Sequence, residues 1–357
     1  MARRVLALTA SIGLLLAIAV PATARNINAE NSYHVNHLWS DVPGAAAGQD
    51  PALVNGWGIV ASPTSPWWVS DNGTSKSTLY NGTSGAKLGL TVTVPGAPTG
   101  VVFNGASGDF KVTVGAAAPA AARFIFATTD GQIAGWNGQG TAAISALTTP
   151  DAIYLGLAIG SSGGANYLYA ANFTIRTVDV FDRLWAPATL AGNFTDPGLP
   201  AGYSPFGIQA IGTATGTEIF VAYAKQNADG DEELHGEGLG VVDVFGTDGT
   251  FHGRVATFGD LNAPWGLAMA PSNFGKFSGN LLVGNFGDGR IHAFRWDGSA
   301  WEEHGVIKGE DHRPISIEGL WGIGFGNGTG SGPTNSLFFA AGPDDETHGL
   351  FGSITLQ

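Results

Sequence analysis

An all-β fold, and within it a six-bladed β-propeller, is predicted by three observations. A short motif recurs along the chain, each copy is followed by runs of β-branched and aromatic residues of strand length, and 55 of the 357 residues are glycine. The fullest copy occupies 263–298, where a Pro-Trp-Gly turn leads through an apolar strand (267–270), a Gly/Ser/Pro-rich loop, a second strand (280–284), the polar turn Asn285-Phe286-Gly287-Asp288-Gly289 and a third strand (290–295). Apolar runs of this length bounded by Gly, Asn and Asp are joined as hairpins. One copy is therefore a small antiparallel sheet.

The other copies open on Trp57-Gly58-Ile59, Thr99-Gly100-Val101, Leu155-Gly156-Leu157, Phe206-Gly207-Ile208 and Trp321-Gly322-Ile323. Each is answered by a second strand, at 67–72, 124–130, 167–172, 219–225 and 337–342. The Gly anchors are spaced by roughly 40 to 60 residues, the period of a four-stranded propeller blade. Residues 25–357 are accordingly expected to form one domain of six blades. A hydrophobic fraction of 44% supplies its core and excludes a disordered chain.

Taken in order, residues 1–24 read as a signal peptide. Arg3 and Arg4 precede an apolar stretch (5–20) that ends in the small residues Ala22-Thr23-Ala24. A secreted or periplasmic protein is expected, with no membrane span once the signal is removed. There is no cysteine, so disulfides, thiolate metal sites and haem attachment are excluded. Loss of the signal takes the 16 basic residues to 14 against 29 acidic ones, and the net charge from −13 to −15. Nucleic acid and anionic membranes need cationic patches, so neither is an expected partner. Cationic ligands and divalent metals suit such a surface.

The segment 33–40 alternates like a strand but precedes the first anchor, while the last copy ends at 350–356, one strand short. The N-terminal strand is predicted to complete the last blade, so that the ring closes and no sheet edge is left open. Two stretches break the rhythm. The first, 105–122, reads as one short strand and an exposed Ala/Pro loop. The second is the acidic insertion 225–238, read as a solvated loop that projects from the face of the other hairpin turns, where it could serve as a lid over the channel mouth.

Equivalent positions of different blades converge on a propeller axis. The ends of the second strands align Asp71, Asn172, Lys225 and Asn285, and Glu318 stands just ahead of the last inner strand. Asp71, Asn172, Asn285 and Glu318 form a candidate metal set, and their hard oxygens suit Ca2+. Asp and Asn are also ordinary turn formers. Trp57, Phe206, Trp265 and Trp321 share one repeat position and are predicted to form an aromatic ring near the axis, packed between blades or stacked on a ligand. Together with Lys225 they are the candidate ligand-binding residues. Two histidines, His235 and His348, fall in polar turns. His348 follows Asp344-Asp345-Glu346-Thr347, so a carboxylate can orient it as a general base or it can cap its turn.

Asn55-Gly56-Trp57-Gly58-Ile59, the run 70–82, Ala263-Pro264-Trp265-Gly266-Leu267-Ala268, the run 284–291 and the run 342–354 resemble a family of secreted conserved hypothetical proteins. That resemblance implies a six-bladed propeller of the TolB-like or NHL type. Glu318-Gly319-Leu320-Trp321 is distantly similar to a blade opening in calcium-dependent gluconolactonase- and paraoxonase-type propellers, which implies a channel metal held by Glu, Asn and Asp. Two functions are therefore expected of the axial face. It binds a small molecule, a glycan or a protein as a scaffold, the protein being expected as a monomer, or it hydrolyses a lactone or ester with a central metal.

Overall fold

The computed structural model describes residues 31–357, and the segment read as a signal peptide lies outside the described residues. Six sheets follow one another around an axis, each meandering outward from an inner strand. Blade 1 is Gly56–Val60, Trp67–Asp71, Lys76–Tyr80 and Lys87–Thr93. Blade 2 is Pro98–Phe103, Phe124–Thr128, Gln132–Trp136 and Ile144–Thr148, and blade 3 has three strands, Tyr154–Ser162, Ala165–Asn172 and Thr177–Asp182. Blade 4 is Tyr203–Thr213, Gly216–Lys225, Gly240–Gly246 and Phe251–Thr257. Blade 5 is Pro264–Met269, Leu281–Asn285, Ile291–Trp296 and Trp301–Val306. Blade 6 combines Leu320–Phe325, Leu337–Ala341 and Leu350–Leu356 with the N-terminal strand Tyr33–Ser40.

That N-terminal strand runs antiparallel to Leu350–Leu356, from Tyr33 opposite Leu356 to Ser40 opposite Leu350. Tyr33 is fully buried there, and its hydroxyl donates to the Phe274 carbonyl at 2.8 Å. Chain ends far apart in sequence thus share one sheet, which leaves the ring without an open seam. Among the described residues no helix is long and apolar enough to cross a membrane.

One local device repeats in every blade and explains the motif. Between the inner and second strands the register slips by a residue at Trp57, Thr99, Leu155, Phe206, Trp265 or Trp321, the position just ahead of the Gly anchor. A β-bulge leaves its extra residue outside the ladder and re-aims that side chain. Here it turns the side chain toward the axis. The glycine that follows lets neighbouring inner strands touch through their backbones. A Cβ on Gly207 would lie 2.1 Å from the Trp265 carbonyl oxygen, and one on Gly100 2.3 Å from the Leu157 amide nitrogen. We expect Gly207→Ala to force the two strands apart and lower stability by about 1–3 kcal/mol, the cost of overpacking; an unchanged urea midpoint would count against this role.

In the stretch 105–122 the short strand and the exposed Ala/Pro run at 115–119 are found as expected, but its flanks are ordered against the blade. Lys111–Val112 and Ala120–Ala121 pair as a small hairpin, and Phe110, Val112 and Ala122 are buried. Trp185, from the loop after blade 3, covers Phe110 edge-on at 5.2 Å between ring centres. An Ala/Pro-rich composition hides this because the covering residue comes from another blade.

Candidate functional site

The bulge residues of four blades meet in a plug around Trp321. Its ring stacks on Trp57 at 3.7 Å and on Phe286 at 3.9 Å, with Phe206 at 5.5 Å and Trp265 edge-on at 5.9 Å. Trp265 Nε1 crosses to blade 3 and donates to the Leu155 carbonyl at 3.0 Å. Below the plug, between the inner strands, only about 10 Å³ remains, lined by Gly58, Gly100, Leu157, Ile208, Leu267 and Ile323. That is room for about one water. Beyond it the opposite mouth of the axis is a depression of about 320 Å³ of mixed lining that includes Gln209, Asn327, Leu267 and Ile323. A ligand is therefore met at one end or the other, not inside.

Above the plug lies a cup of about 530 Å³, lined by Glu232, Glu233, His235, Phe286, Glu318, Asp345 and Glu346 with three glycines. Four segments build it, one of them Glu318-Gly319 just ahead of the last inner strand. The acidic insertion folds inward, held by a bridge between Gln226 and Glu233 and by Asn262 Oδ1, which accepts from the Gly236 amide at 2.7 Å. The turn after Asn285 places Phe286 as the floor. The turn of blade 6 carries Asp344, Asp345 and Glu346 in succession at φ of 56°, 48° and 63°. Consecutive non-glycine residues in the left-handed region are costly and persist where surrounding contacts hold them. Here Glu318 Oε1 accepts from the Asp344 amide at 3.1 Å, and the Glu346 amide donates to the Gly342 carbonyl at 3.2 Å.

Asn55 links cup and plug. Its Oδ1 accepts from Trp321 Nε1 at 3.0 Å and its Nδ2 donates to Glu346 Oε2 at 2.5 Å. Asn55 itself sits at φ 47°, and its side chain comes so near Gly342 that a Cβ there would lie 2.2 Å from Oδ1. Burial pushes the Glu346 carboxyl above the usual carboxylate range, opposed by the Asn55 hydrogen bond and aided by the charge of Glu233. The hydrogen bond from His235 Nε2 to Glu233 Oε1, 3.1 Å long, holds His235 above the usual imidazole range against its burial, and the charges of Glu346 and Asp345 add to this. The His235 ring stands edge-on to Phe286 at 5.1 Å. The cup is thus a concentration of carboxylates over an aromatic floor, with one histidine inside it.

The residues singled out from the sequence are distributed as follows. Trp57, Phe206, Trp265 and Trp321 are together in the plug, and Glu318 is in the cup. Lys225 ends its strand with Nζ over the Tyr203 ring at 5.5 Å. Asp71, Asn172 and Asn285 end the second strands of alternate blades and are buried. Each has one oxygen tied to nothing: Asp71 Oδ2, Asn172 Oδ1 and Asn285 Oδ1. Their other polar atoms are held locally, Asp71 by the Thr78 hydroxyl at 3.1 Å, Asn172 by Asp179 at 2.9 Å and Asn285 by the Asp260 carbonyl at 2.9 Å. None of the three lines the cup. His348 faces Asp41, with Nδ1 to Oδ2 at 2.8 Å, an interaction that raises its pKa and ties the N-terminal segment to the blade 6 turn. The sequence did not point to Asn55's two hydrogen bonds, to Phe286 or to Glu346; the signal for Glu346 was its run of three acids in a tight turn.

Asp71 carries a pH prediction. Burial raises its pKa well above the ordinary carboxylate value, the Thr78 hydrogen bond opposing and the charge of Asp50 adding. Its folded form therefore prefers the neutral acid, so this contribution to stability is complete below the unfolded pKa and is lost as pH rises toward the folded one. We expect Asp71→Asn to match the wild type in acid and to exceed it in thermal stability at pH 8, with a slope difference of at most about 1.4 kcal/mol per pH unit. Parallel curves across this range would refute the assignment.

No protein-family model matches the chain. Among solved structures, a streptogramin B lyase superposes with a TM-score of 0.53 at 13% identity, covering 91% of this chain and 98% of that one, a likeness of fold alone. Two uncharacterized proteins of Acanthamoeba polyphaga mimivirus are nearer in sequence. One is 31% identical over 343 residues, covering 91% of this chain and 81% of the relative, and the other is 31% identical over 340 residues, covering 90% and 86%. Identity at this level along nearly the whole propeller places the protein in the same family as these uncharacterized mimivirus proteins.

Proposed function

We propose that the protein is an exported binding propeller whose cup holds a small organic cation. One observation carries this reading: Glu232, Glu233, Glu318, Asp345 and Glu346 converge from separate segments on one cavity floored by Phe286. Carboxylates around an aromatic face are what an ammonium group seeks, through ion pairing and cation–π attraction. The volume is that of a small-molecule site. Isothermal titration with a diamine and with a quaternary ammonium compound tests it. Saturable binding is expected, weakened at least about tenfold by Glu318→Gln combined with Glu346→Gln, the order of one lost charged contact. Equal affinity in wild type and double variant would refute it.

The same geometry sets a pH dependence. His235 shares the cup with Glu232, Glu233, Glu318, Asp345 and Glu346, so its protonation offsets one of their charges. Cation affinity is expected to fall as pH drops through the raised His235 range, and His235→Gln to flatten the profile.

A second reading, a metal-dependent hydrolase of a lactone or ester, is favoured by the hard oxygens that flank a carboxylate-held histidine. Glu318, Asp345 and Glu346 are the carboxylates that would have to draw together to hold calcium, which when bound polarises a carbonyl. His235, oriented by Glu233, is the group placed to take a proton from water. In that case calcium at a hundredfold excess over Kd raises stability by about 2.7 kcal/mol, and Glu318→Ala abolishes the shift. Without a thermal shift in the wild type, the hydrolytic reading falls and the binding reading stands.

A further inference from the structure

Outside the cup, one cluster of side chains has the composition of a different kind of site. Asp260, in the loop that enters blade 5, His292, on its third strand, and Glu303, on its fourth, bring one donor atom each to within 4.8 Å of one another. His292 Nδ1 lies 3.2 Å from Glu303 Oε1 and 3.9 Å from Asp260 Oδ2. The histidine is buried at 3% exposure, whereas Asp260 and Glu303 are 56% and 40% exposed, so the imidazole points outward from the sheet at two solvated carboxylates.

The sheet is built to make this meeting possible. His292 stands opposite Val306 and Ala293 opposite Gly305. Continued regularly, that register would set Glu303 against Arg295, on the other face from His292, because side chains alternate along a strand. The bulge after Ala293 instead sets Glu303 opposite Phe294, on the face of His292.

Blade 4 provides an internal comparison. Asp243 occupies the third-strand position equivalent to His292, since both stand opposite the valine that follows the anchor register, Val221 and Val283. There an incoming-loop acid, Asp196, and Asp243 are bridged by Arg254 of the fourth strand. In blade 5 the residue opposite His292, where blade 4 has Arg254 opposite Asp243, is Val306, and the two acids are Asp260 of the incoming loop and Glu303 further along the fourth strand. Among the described residues no Lys or Arg pairs with Asp260 or Glu303; the nearby Arg290 and Arg295 pair with Asp288 and Glu302. The permanent cation that closes the blade 4 triad thus has no counterpart. Moreover, His292 Nε2 is buried without a partner, so Nδ1, which faces Glu303 and Asp260, is the ring nitrogen a bound ion would take in place of its proton.

We propose that Asp260, His292 and Glu303 bind a divalent transition-metal ion, zinc being the probe of choice. One imidazole nitrogen and two carboxylates suit zinc, whereas calcium takes oxygen donors. Exposure of the two acids leaves positions for water or a substrate oxygen. The site shares no residue with the cup and does not depend on the reading given to it.

The test is calorimetric titration of the chelator-treated full chain with ZnCl2, alongside CaCl2, in wild type and in the near-isosteric exposed variants Glu303→Gln and Asp260→Asn. One equivalent of zinc is expected to bind, with affinity reduced at least about 100-fold in Glu303→Gln, the upper end of what losing an outer-shell partner costs. Glu318→Gln, in the cup, should leave zinc binding unchanged. Undiminished affinity in both blade 5 variants, no saturable binding in the wild type, or a loss confined to Glu318→Gln would each overturn the proposal.

Discussion

Deleting residues 33–40 is expected to abolish the cooperative unfolding transition. The strand carries the fully buried Tyr33, the antiparallel ladder with Leu350–Leu356 and the Trp39 indole that donates to the Gly85 carbonyl of blade 1 at 2.8 Å. Its removal uncovers the edge of Leu350–Leu356. It also exposes the Tyr33 cluster around Phe274, Phe277 and Ile354. Each lost hydrogen bond is worth about 1 kcal/mol and each large buried side chain about 3 kcal/mol. Together these reach the total stability of a domain, about 5–15 kcal/mol. Denaturant titration of the shortened chain is the measurement. A transition with the wild-type midpoint would show that the ring does not rely on this strand.

Trp321→Ala is expected to be the most damaging single substitution, at about 3–5 kcal/mol, the range for truncating a buried aromatic. Trp321 is 1% exposed and touches aromatic rings from blades 1, 4 and 5. Its loss leaves a void that the backbone contacts at the Gly anchors prevent from collapsing. The substitution also removes the donor to Asn55, whose amide holds Glu346. Cation affinity at the cup should therefore fall with stability. Trp321→Phe separates the two effects: it keeps a ring in the stack but no donor, and is expected to cost about 1–2 kcal/mol. If the alanine variant unfolds within about 1 kcal/mol of the wild type, Trp321 is not the centre of the plug.

Much of this architecture was legible because the repeat is local. A bulge residue, a glycine and a following strand lie within a few positions of one another, and each blade must repeat them to let its inner strand meet its neighbours. The aromatic ring was legible for the same reason, since Trp57, Phe206, Trp265 and Trp321 share one place in the repeat. Phe286 was harder to see. It follows the second strand of blade 5, as Phe173 does in blade 3, and only the stack on Trp321 distinguishes its position. The oxygens of Asp71, Asn172 and Asn285 were correctly placed at equivalent strand ends, but periodicity does not say which partners a side chain finds there. His348 illustrates the difference: its acidic neighbours in sequence suggested a base, yet its short contact is to Asp41, 307 positions away.

What the sequence determined by itself is the six-bladed all-β ring, because strand length, turn chemistry and the Gly anchors are short-range constraints written into each copy. Only the tertiary structure decided the cup and the blade 5 cluster. The cup depends on an insertion and a left-handed acidic turn that have no counterpart in the other blades, and on Asn55 joining the first blade to the last. The cluster depends on a bulge that moves Glu303 to the face of His292. Neither leaves a periodic trace, because a one-residue slip or a contact between remote loops changes which side chains meet without changing the pattern of apolar and polar residues.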